Sequence, residues 1–479
     1  MKIIRIIFLF LLILPLAPAE AQDCRISGMA DDYGKGSYPV YTVTNPVSLK
    51  TLEAGKLEIG DDGHFKAVLK TEVPCWFYSD IGIYRMMLFT EPGHDYEVVL
   101  PPFREKSDQQ KLNPYFEPIT VHLRVLKRSD KSNNTIIPGD EEINDRLYRF
   151  DTLFFSMSDR VLLRKRDGFP VSTPDSIRDF ELQFNSDTSV YFRSYRNYRY
   201  GLLELSAGTS GLGAVRDLYL SEPVPRYREP AYMELFDKMF NEFLVFYGRT
   251  PEGRDLVAAV NKYHNLGLLR ECLRKHPAVK TDTIADLVIL KDLYSQFFKE
   301  TFYRESIIML LDSLIDHPAL PDYGRMAGEI KTKLTTLVPG NLPPDFSLTG
   351  MDGQKKSLED FRGKYVYLFF CTPDNYSCMI EYPYLKTYFE KHSAYLEVVN
   401  IMICDNSDQM TAFMKNNGYR WPSLFYGDQP EVLIDYDVRI FPASYLIGPD
   451  GKLILAPAKL PSEGFEQSLF KIMRSRGDI

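Results

Sequence analysis

The sequence predicts three folded regions: an antiparallel β-sandwich, an all-α region and an α/β domain. Short β-like runs separated by turns fill residues 22–128. Apolar residues recur at three- or four-residue steps within residues 138–336, which is the helical period. Two unbroken apolar runs, at residues 365–370 and 396–403, indicate buried neighbouring parallel strands in residues 341–479. A chain of 479 residues is long enough for two or three such domains.

The first 21 residues have the pattern of a secretory signal peptide. Two cations precede an apolar stretch at residues 6–16, and an Ala-x-Ala cleavage site ends at Ala21. We therefore expect an exported mature chain in the periplasm or cell envelope, where disulfides persist. Cys24 suggests a lipoprotein, but Gln22 and Asp23 replace the small residues expected before a lipidated cysteine. No other run reaches the ~18 apolar residues of a transmembrane helix.

The β-sandwich prediction rests on short runs of β-forming residues. A turn at residues 61–63 (Asp-Asp-Gly) joins two of them as a hairpin. The runs lie at residues 25–29, 39–43, 52–59, 65–69, 75–81, 83–89, 96–100 and 119–125. Cys24 and Cys75 could form a disulfide in this domain, or be two unrelated buried thiols, and the sequence does not decide between them.

The all-α prediction begins at residues 138–140 (Pro-Gly-Asp), with Asp140 as the helix cap. An amphipathic stripe follows, formed by Ile143, Leu147, Phe150, Phe154, Met157 and Val161. The Tyr- and Arg-rich run at residues 191–200 has two interpretations. Long amphipathic side chains covering a helix pair explain it best, and a surface for an acidic or sugar-like ligand is the alternative.

Composition excludes several classes of function. The net charge of −8 argues against a nucleic-acid partner. The chain has no Gly-rich phosphate loop, no paired metal-ligand spacing and only seven dispersed histidines. The sequence therefore predicts neither a metal nor a nucleotide cofactor.

The strongest pattern is GKYVYLFFCTPDNYSCMIEYP at residues 363–383. A Pro- and Asp-containing linker precedes it, and Asp437-Val-Arg-Ile-Phe-Pro442 and a turn at residues 449–451 follow it. With these features, residues 341–479 resemble the TlpA/ResA-like branch of the thioredoxin-like proteins. The resemblance implies a thioredoxin-like fold and thiol-disulfide oxidoreductase chemistry. In that branch the strand ends in Trp-Cys-x-x-Cys, followed by x-x-Glu-x-Pro.

The resemblance places Asn375 where the family has its first, nucleophilic cysteine. Cys378, Glu381 and Pro383 match the second cysteine and the residues that follow it, without a gap. Exchange begins with a thiolate that attacks a disulfide, and an amide cannot replace it. Asp374 or Asn375 is instead expected to cap the following helix.

Two other cysteines leave a second possibility, a redox pair at positions other than the family's. Cys371 ends the predicted strand, and Cys404 follows the apolar run at residues 396–403. Because parallel strands carry their functional loops at the same carboxyl end, both could lie in the neighbourhood of Cys378. A bridge needs Cα atoms about 4.4–6.8 Å apart, which a strand end and a first helical turn need not satisfy.

The resemblance also assigns roles to residues around the thiols. Pro442 matches the family's cis-proline, which faces the cysteine pair, and the backbone at Phe441 and Pro442 is implied to pair with a bound peptide. Glu381 matches an acid that tunes the protonation of the thiols. Without the resemblance, these would be a loop proline and a carboxylate favourable to the helix dipole.

Two functional hypotheses follow. The first is an exported thioredoxin-like module that binds a peptide or protein partner with little or no redox turnover, because Asn375 stands at the nucleophile position. The second is a thiol-disulfide oxidoreductase that uses Cys378 with Cys371 or Cys404. Both predict a protein partner, such as a thiol-containing exported protein.

Overall fold

A computed structural model describes residues 22–479 except 108–109, 111–112, 114, 131–134, 139–141, 185–186 and 188. The predicted signal peptide and the predicted cap Asp140 lie outside the described residues. Across the described part of the chain, no helix is both long and apolar enough to cross a membrane.

The N-terminal region is a ten-stranded sheet that closes on itself. Strand β8 pairs with β6 at one end of the sheet, β9 pairs with β7 near the other, and only Leu123 separates β8 from β9. The predicted β region is therefore one sheet that curls round an apolar core, and two of its strand pairs, β1 with β7 and β6 with β8, are parallel. Its strands are β1 Gln22–Met29, β2 Gly36–Asn45, β3 Lys50–Ile59, β4 His64–Thr71, β5 Cys75–Ile81, β6 Tyr84–Thr90, β7 His94–Val99, β8 Ile119–His122, β9 Arg124–Asp130 and β10 Thr135–Pro138.

Alternation along the strands explains this core. In β4, Phe65, Ala67 and Leu69 point inward while the residues between them are exposed. Cys24 is fully buried in the same core and Cys75 is half-buried, and neither is in a disulfide. In the sheet order, β4, β3 and β2 separate their strands, so the structure has two separate thiols here.

The central region is helical, as predicted, and all six residues of the predicted stripe are buried on its first helix. The Tyr- and Arg-rich run also packs into the core, as the first of its two interpretations expects. Its buried residues include Phe192, Tyr195, Tyr198 and Tyr200. The helices that the structure describes in this region are α1 Ile143–Arg166, α2 Thr173–Glu181, α3 Val190–Ala207, α4 Leu212–Tyr219, α5 Pro230–Met239, α6 Phe243–Tyr247, α7 Leu256–Asn261, α8 Leu266–Arg274, α9 Asp282–Gln296, α10 Arg304–Asp316 and α11 Pro321–Thr335.

Asn144, in the first turn of α1, joins the helical region to the sheet. Its Oδ1 accepts a hydrogen bond from the backbone N–H of Phe89 (2.8 Å), and its Nδ2 donates to the Phe89 carbonyl (2.9 Å). Strand β8 pairs with β6 only as far as Met87, so Asn144 replaces a partner strand at Phe89.

Replacing Asn144 with alanine should destabilise the protein. The substitution leaves a buried N–H and a buried carbonyl without this partner, and we expect the free energy of unfolding to fall by about 1–3 kcal/mol. Urea denaturation measures the change. Thr152→Ala, at an exposed position on the same helix, is the control and should lie within about 0.5 kcal/mol of the parent. Equal stability of the two variants would contradict the assigned role of Asn144.

The C-terminal region is an α/β domain around a seven-stranded sheet of order β12-β11-β15-β14-β13-β16-β17. Strand β13 lies in the interior of the sheet, parallel to β14 and antiparallel to β16, and all seven of its residues are buried. The elements are β11 Leu348–Gly350, β12 Lys355–Lys356, β13 Tyr365–Cys371, α12 Tyr376–His392, β14 Leu396–Met402, α13 Ser407–Asn416, β15 Ser423–Phe425, α14 Val432–Asp435, β16 Ala443–Ile447, β17 Leu453–Leu455 and α15 Phe465–Arg476.

Candidate active site

Side chains along β13 alternate between the two faces of the sheet, and this alternation determines the face on which Cys371 lies. Val366, Leu368 and Phe370 lie in the core on one face of the sheet, whereas Tyr365, Tyr367, Phe369 and Cys371 lie in the core on the other. Helix α12 contributes Cys378 and Tyr382 to this second core. The strand therefore delivers Cys371 to the face that α12 covers.

Cys371 and Cys378 form a disulfide. Their Cα atoms are 5.8 Å apart, inside the range that a bridge requires. Of the displaced pairs that the sequence left open, the structure contains this one, and Cys404 remains a free thiol. The four residues between strand and helix, and the first helical turn after them, thus bring the two sulfurs together.

Asn375 caps α12. Its backbone is extended, and its Oδ1 accepts a hydrogen bond from the N–H of Cys378 (3.2 Å). Of the two capping candidates, the structure uses Asn375 rather than Asp374. The residue at the family's nucleophile position therefore supports the helix turn that carries Cys378.

Both bridged sulfurs lie beneath the surface, since Cys371 and Cys378 each have 0% relative exposure. The segment above them is accessible: Asp374, Tyr376 and Ser377 are exposed, with Tyr376 at 80%. Attack by a partner sulfur therefore requires movement of the connection at residues 372–377.

The peptide bond between Phe441 and Pro442 is cis, as the resemblance predicts. Phe370 pairs with Ala443 in the antiparallel ladder between β13 and β16. One step further along this ladder, Pro442 comes opposite Cys371. This register brings the cis-proline loop to the end of β13 that carries Cys371.

Glu381 is buried one helical turn after Cys378, and its carboxylate accepts hydrogen bonds from Ser462. Oε1 accepts from the hydroxyl of Ser462 (2.6 Å), and Oε2 accepts from the backbone N–H of Ser462 (2.8 Å). The carboxylate therefore ties α12 to the short turn at residues 461–463. The role of Ser462 could not be predicted from the sequence, because a contact between residues 81 positions apart leaves no local signal.

Cys404 is 4% exposed, and its thiol donates to the carbonyl of Asn406 (3.3 Å). Burial raises the pKa of Cys404 to about 11. Only the thiolate is nucleophilic, and at pH 8 a thiol with that pKa is about 0.1% ionised.

We therefore expect Cys404 to resist iodoacetamide at pH 8 in the folded protein and to react quickly once urea unfolds the chain. Its labelling rate should rise about tenfold per pH unit between pH 8 and 10, because the thiolate fraction rises in that proportion. Mass spectrometry of tryptic peptides measures labelling site by site. Complete labelling within minutes at pH 8 without urea would contradict the buried position.

Comparison with known proteins places the C-terminal region in a family. The AhpC/TSA family model matches residues 339–456. The thiol-disulfide oxidoreductase ResA of Bacillus thuringiensis subsp. konkukian is 30% identical over 128 residues, covering 26% of this chain and 71% of the relative. The chain belongs to the ResA-like family. ResA of Bacillus subtilis strain 168 is 33% identical over 121 residues, covering 24% of this chain and 64% of the relative, just under two thirds.

Among solved structures, the thioredoxin domain of a thiol-disulfide oxidoreductase from Bacteroides vulgatus is similar to this ResA-like chain. It is 24% identical, and the similarity covers 28% of this chain and 98% of that one, with a TM-score of 0.26. In the described residues, no group of three or more His, Cys, Asp or Glu side chains is arranged to hold a metal ion.

Proposed function

We propose that this ResA-like protein is an exported thiol-disulfide oxidoreductase whose redox pair is Cys371–Cys378. The observation that carries the proposal is the bridged pair itself, at the end of strand β13 and near the cis-proline loop. The names of the ResA relatives support the reaction class. The signal-peptide pattern in the first 21 residues supports export.

The reaction is a two-electron exchange. A substrate thiolate attacks one sulfur of the Cys371–Cys378 bridge, forms a mixed disulfide and releases the other cysteine as a thiolate. A second substrate thiolate then attacks the mixed disulfide. The substrate dithiol becomes a disulfide, the enzyme becomes a dithiol, and two protons pass to solvent or to the released thiolates. The reverse sequence reduces a substrate disulfide.

The position of each cysteine favours one direction of attack. Cys378 lies in the first turn of α12, where the helix dipole and free N–H groups stabilise a thiolate, so Cys378 is the better leaving group. Cys371 lies opposite Pro442 along the ladder, where a bound peptide would pair with the loop backbone. We infer that the mixed disulfide forms at Cys371, that Cys378 is the thiolate released when the substrate is oxidised, and that Cys378 attacks the mixed disulfide when a substrate disulfide is reduced.

Trapping tests this assignment. In a Cys378→Ser variant, Cys371 has no resolving partner, so a peptide with an activated disulfide should accumulate as a stable adduct on Cys371. The Cys371→Ser variant should give a slower and smaller adduct on Cys378. Intact-mass and peptide mass spectrometry locate the adduct. Faster trapping on Cys378 would reverse the two roles, and no adduct on either would refute the redox proposal.

A second candidate is the peptide-binding module predicted first from the sequence. The burial of both bridged sulfurs favours it, because a partner thiolate cannot reach either sulfur without local movement. In this candidate the disulfide is structural, and the Phe441-Pro442 loop binds a partner without turnover. Such a bridge would stay oxidised in glutathione buffer until the domain unfolds, whereas the redox pair would be reduced in the folded state.

Export has a separate test. Expression of the full chain in a Gram-negative host should give a periplasmic protein whose mature N-terminus is Gln22, read by mass spectrometry of the intact protein. Retention in the cytoplasm with residues 1–21 attached would refute this part of the proposal.

A further inference from the structure

A cavity of about 350 Å³ lies between the β region and the helical region, remote in sequence from the cysteine pair. Its wall is largely aromatic: Phe89 stacks on Tyr191 with ring centroids 4.4 Å apart, and Trp76 packs against Phe89 at 5.5 Å. Tyr227 and Val224 also line it. A volume of this size accommodates a small organic molecule.

Glu229 places a carboxylate in this wall, and the side chain is only 7% exposed. Its Oε2 accepts hydrogen bonds from the Tyr191 hydroxyl and from the Trp76 indole N–H (3.4 Å). Its Oε1 is buried and accepts none among the described residues. Burial of an unfilled acceptor on a charged group is costly unless a partner occupies it.

The other charges of the wall are already paired. Arg228 contacts Asp322 (2.6 Å), and Arg226 lies 3.4 Å from Glu222. In the part of the chain that the structure describes, no ion pair involves Glu229. Its two donors, Tyr191 and Trp76, are neutral, and burial raises the pKa of Glu229, so a cation beside this carboxylate would stabilise its ionised form.

We propose that this cavity binds a small ligand with an apolar body and a primary ammonium group. The ammonium would donate to Glu229, and the aromatic rings would contact the apolar body and the cation. Aromatic rings attract cations through their quadrupole, and a buried carboxylate adds a charge-assisted hydrogen bond. The same carboxylate would repel an anion.

The test uses benzylamine as the probe, with benzyl alcohol and benzoate as its neutral and anionic counterparts. The mature full-length chain has two tryptophans, so two indole N–H resonances report on binding, and a Trp76→Phe variant assigns the relevant one. Benzylamine should shift the Trp76 resonance saturably in the millimolar range. Benzyl alcohol should bind at least about tenfold more weakly, because it lacks the charge-assisted bond, and benzoate should not bind.

Glu229→Gln should weaken benzylamine binding by about tenfold or more while keeping the side-chain shape. Asp237→Asn, an exposed acid on α5, is the matched control and should bind like the parent. Because Glu229→Gln is a buried substitution, Val224→Phe provides a second variant: Val224 is 49% exposed at the cavity, and the larger ring should block binding. Absence of a saturable shift at about 20 mM benzylamine, equal binding of benzoate, or unchanged binding in folded Glu229→Gln would overturn the proposal.

Discussion

Replacing Cys378 with serine is expected to reduce thiol-disulfide exchange to the rate of the glutathione buffer alone. The proposed mechanism needs the second sulfur of the bridge to leave when the bridge is attacked or, in the reducing direction, to attack the mixed disulfide, and a hydroxyl can do neither. Turnover of a fluorescent peptide disulfide measures the effect. Cys371→Ser should be equally inactive, because each variant removes one half of the pair.

Cys404→Ser is the matched control for this experiment. It removes a buried thiol from the same core but leaves the bridge intact, so its turnover should equal that of the parent. Loss of a bridge across a loop of about seven residues also lowers the free energy of unfolding by about 2 kcal/mol. Activity should therefore be measured at temperatures well below the unfolding transition of each variant. Full activity of folded Cys378→Ser would contradict the proposed redox pair.

Replacing Asn375 with cysteine is expected to move the bridge. The variant recreates the family's Cys-x-x-Cys, and a thiol at the cap of α12 benefits from the helix N-terminus at a half-exposed position. We expect a bridge between the introduced thiol and Cys378 to replace part or all of the Cys371–Cys378 bridge. Exchange should become about tenfold faster or more, since access no longer limits attack. Non-reducing peptide mapping and the same turnover assay measure both changes.

Asn375→Ser provides the comparison for this variant. Serine keeps a side-chain acceptor for the N–H of Cys378 and has nearly the size of cysteine, but it adds no sulfur chemistry. Its activity and its bridge should therefore remain those of the parent. If Asn375→Cys also keeps the parent's bridge and rate, access is not what limits exchange, and the explanation for the buried pair is wrong.

Much of the C-terminal domain could be predicted because its signals are local. The unbroken apolar run at residues 365–370 became the fully buried strand β13, since a strand covered on both faces needs no alternation. Asn375 could be assigned as a helix cap from its residue type and position. The cis bond at Pro442 followed from the family resemblance.

The Cys371–Cys378 bridge could be considered from the sequence but not decided. Whether two cysteines seven positions apart come within bonding reach depends on the face of β13 on which Cys371 lies and on how closely α12 covers that face. Both are consequences of tertiary packing. The same limit applied to Cys24 and Cys75, whose separation depends on the order of strands in the sheet.

The β region shows a related limit. The single predicted run at residues 119–125 is two strands, β8 and β9, that cross from one end of the sheet to the other at Leu123. Nothing in the local pattern marks this crossing, because both strands continue the same β-forming composition. The N–H of Leu123 donates to the carbonyl of Met87 at 2.8 Å, so the chain leaves β6 only after this residue.

The redox titration of the folded protein tests the central claim most directly. The mature chain is equilibrated in glutathione buffers of known potential, quenched with acid and alkylated, and the state of Cys371 and Cys378 is read by mass spectrometry while circular dichroism reports the fold. The proposal predicts a single two-electron transition in the folded state, with a midpoint above about −300 mV, the region in which catalytic rather than structural disulfides lie. A bridge that remains oxidised at every such potential and opens only when the domain unfolds would contradict it.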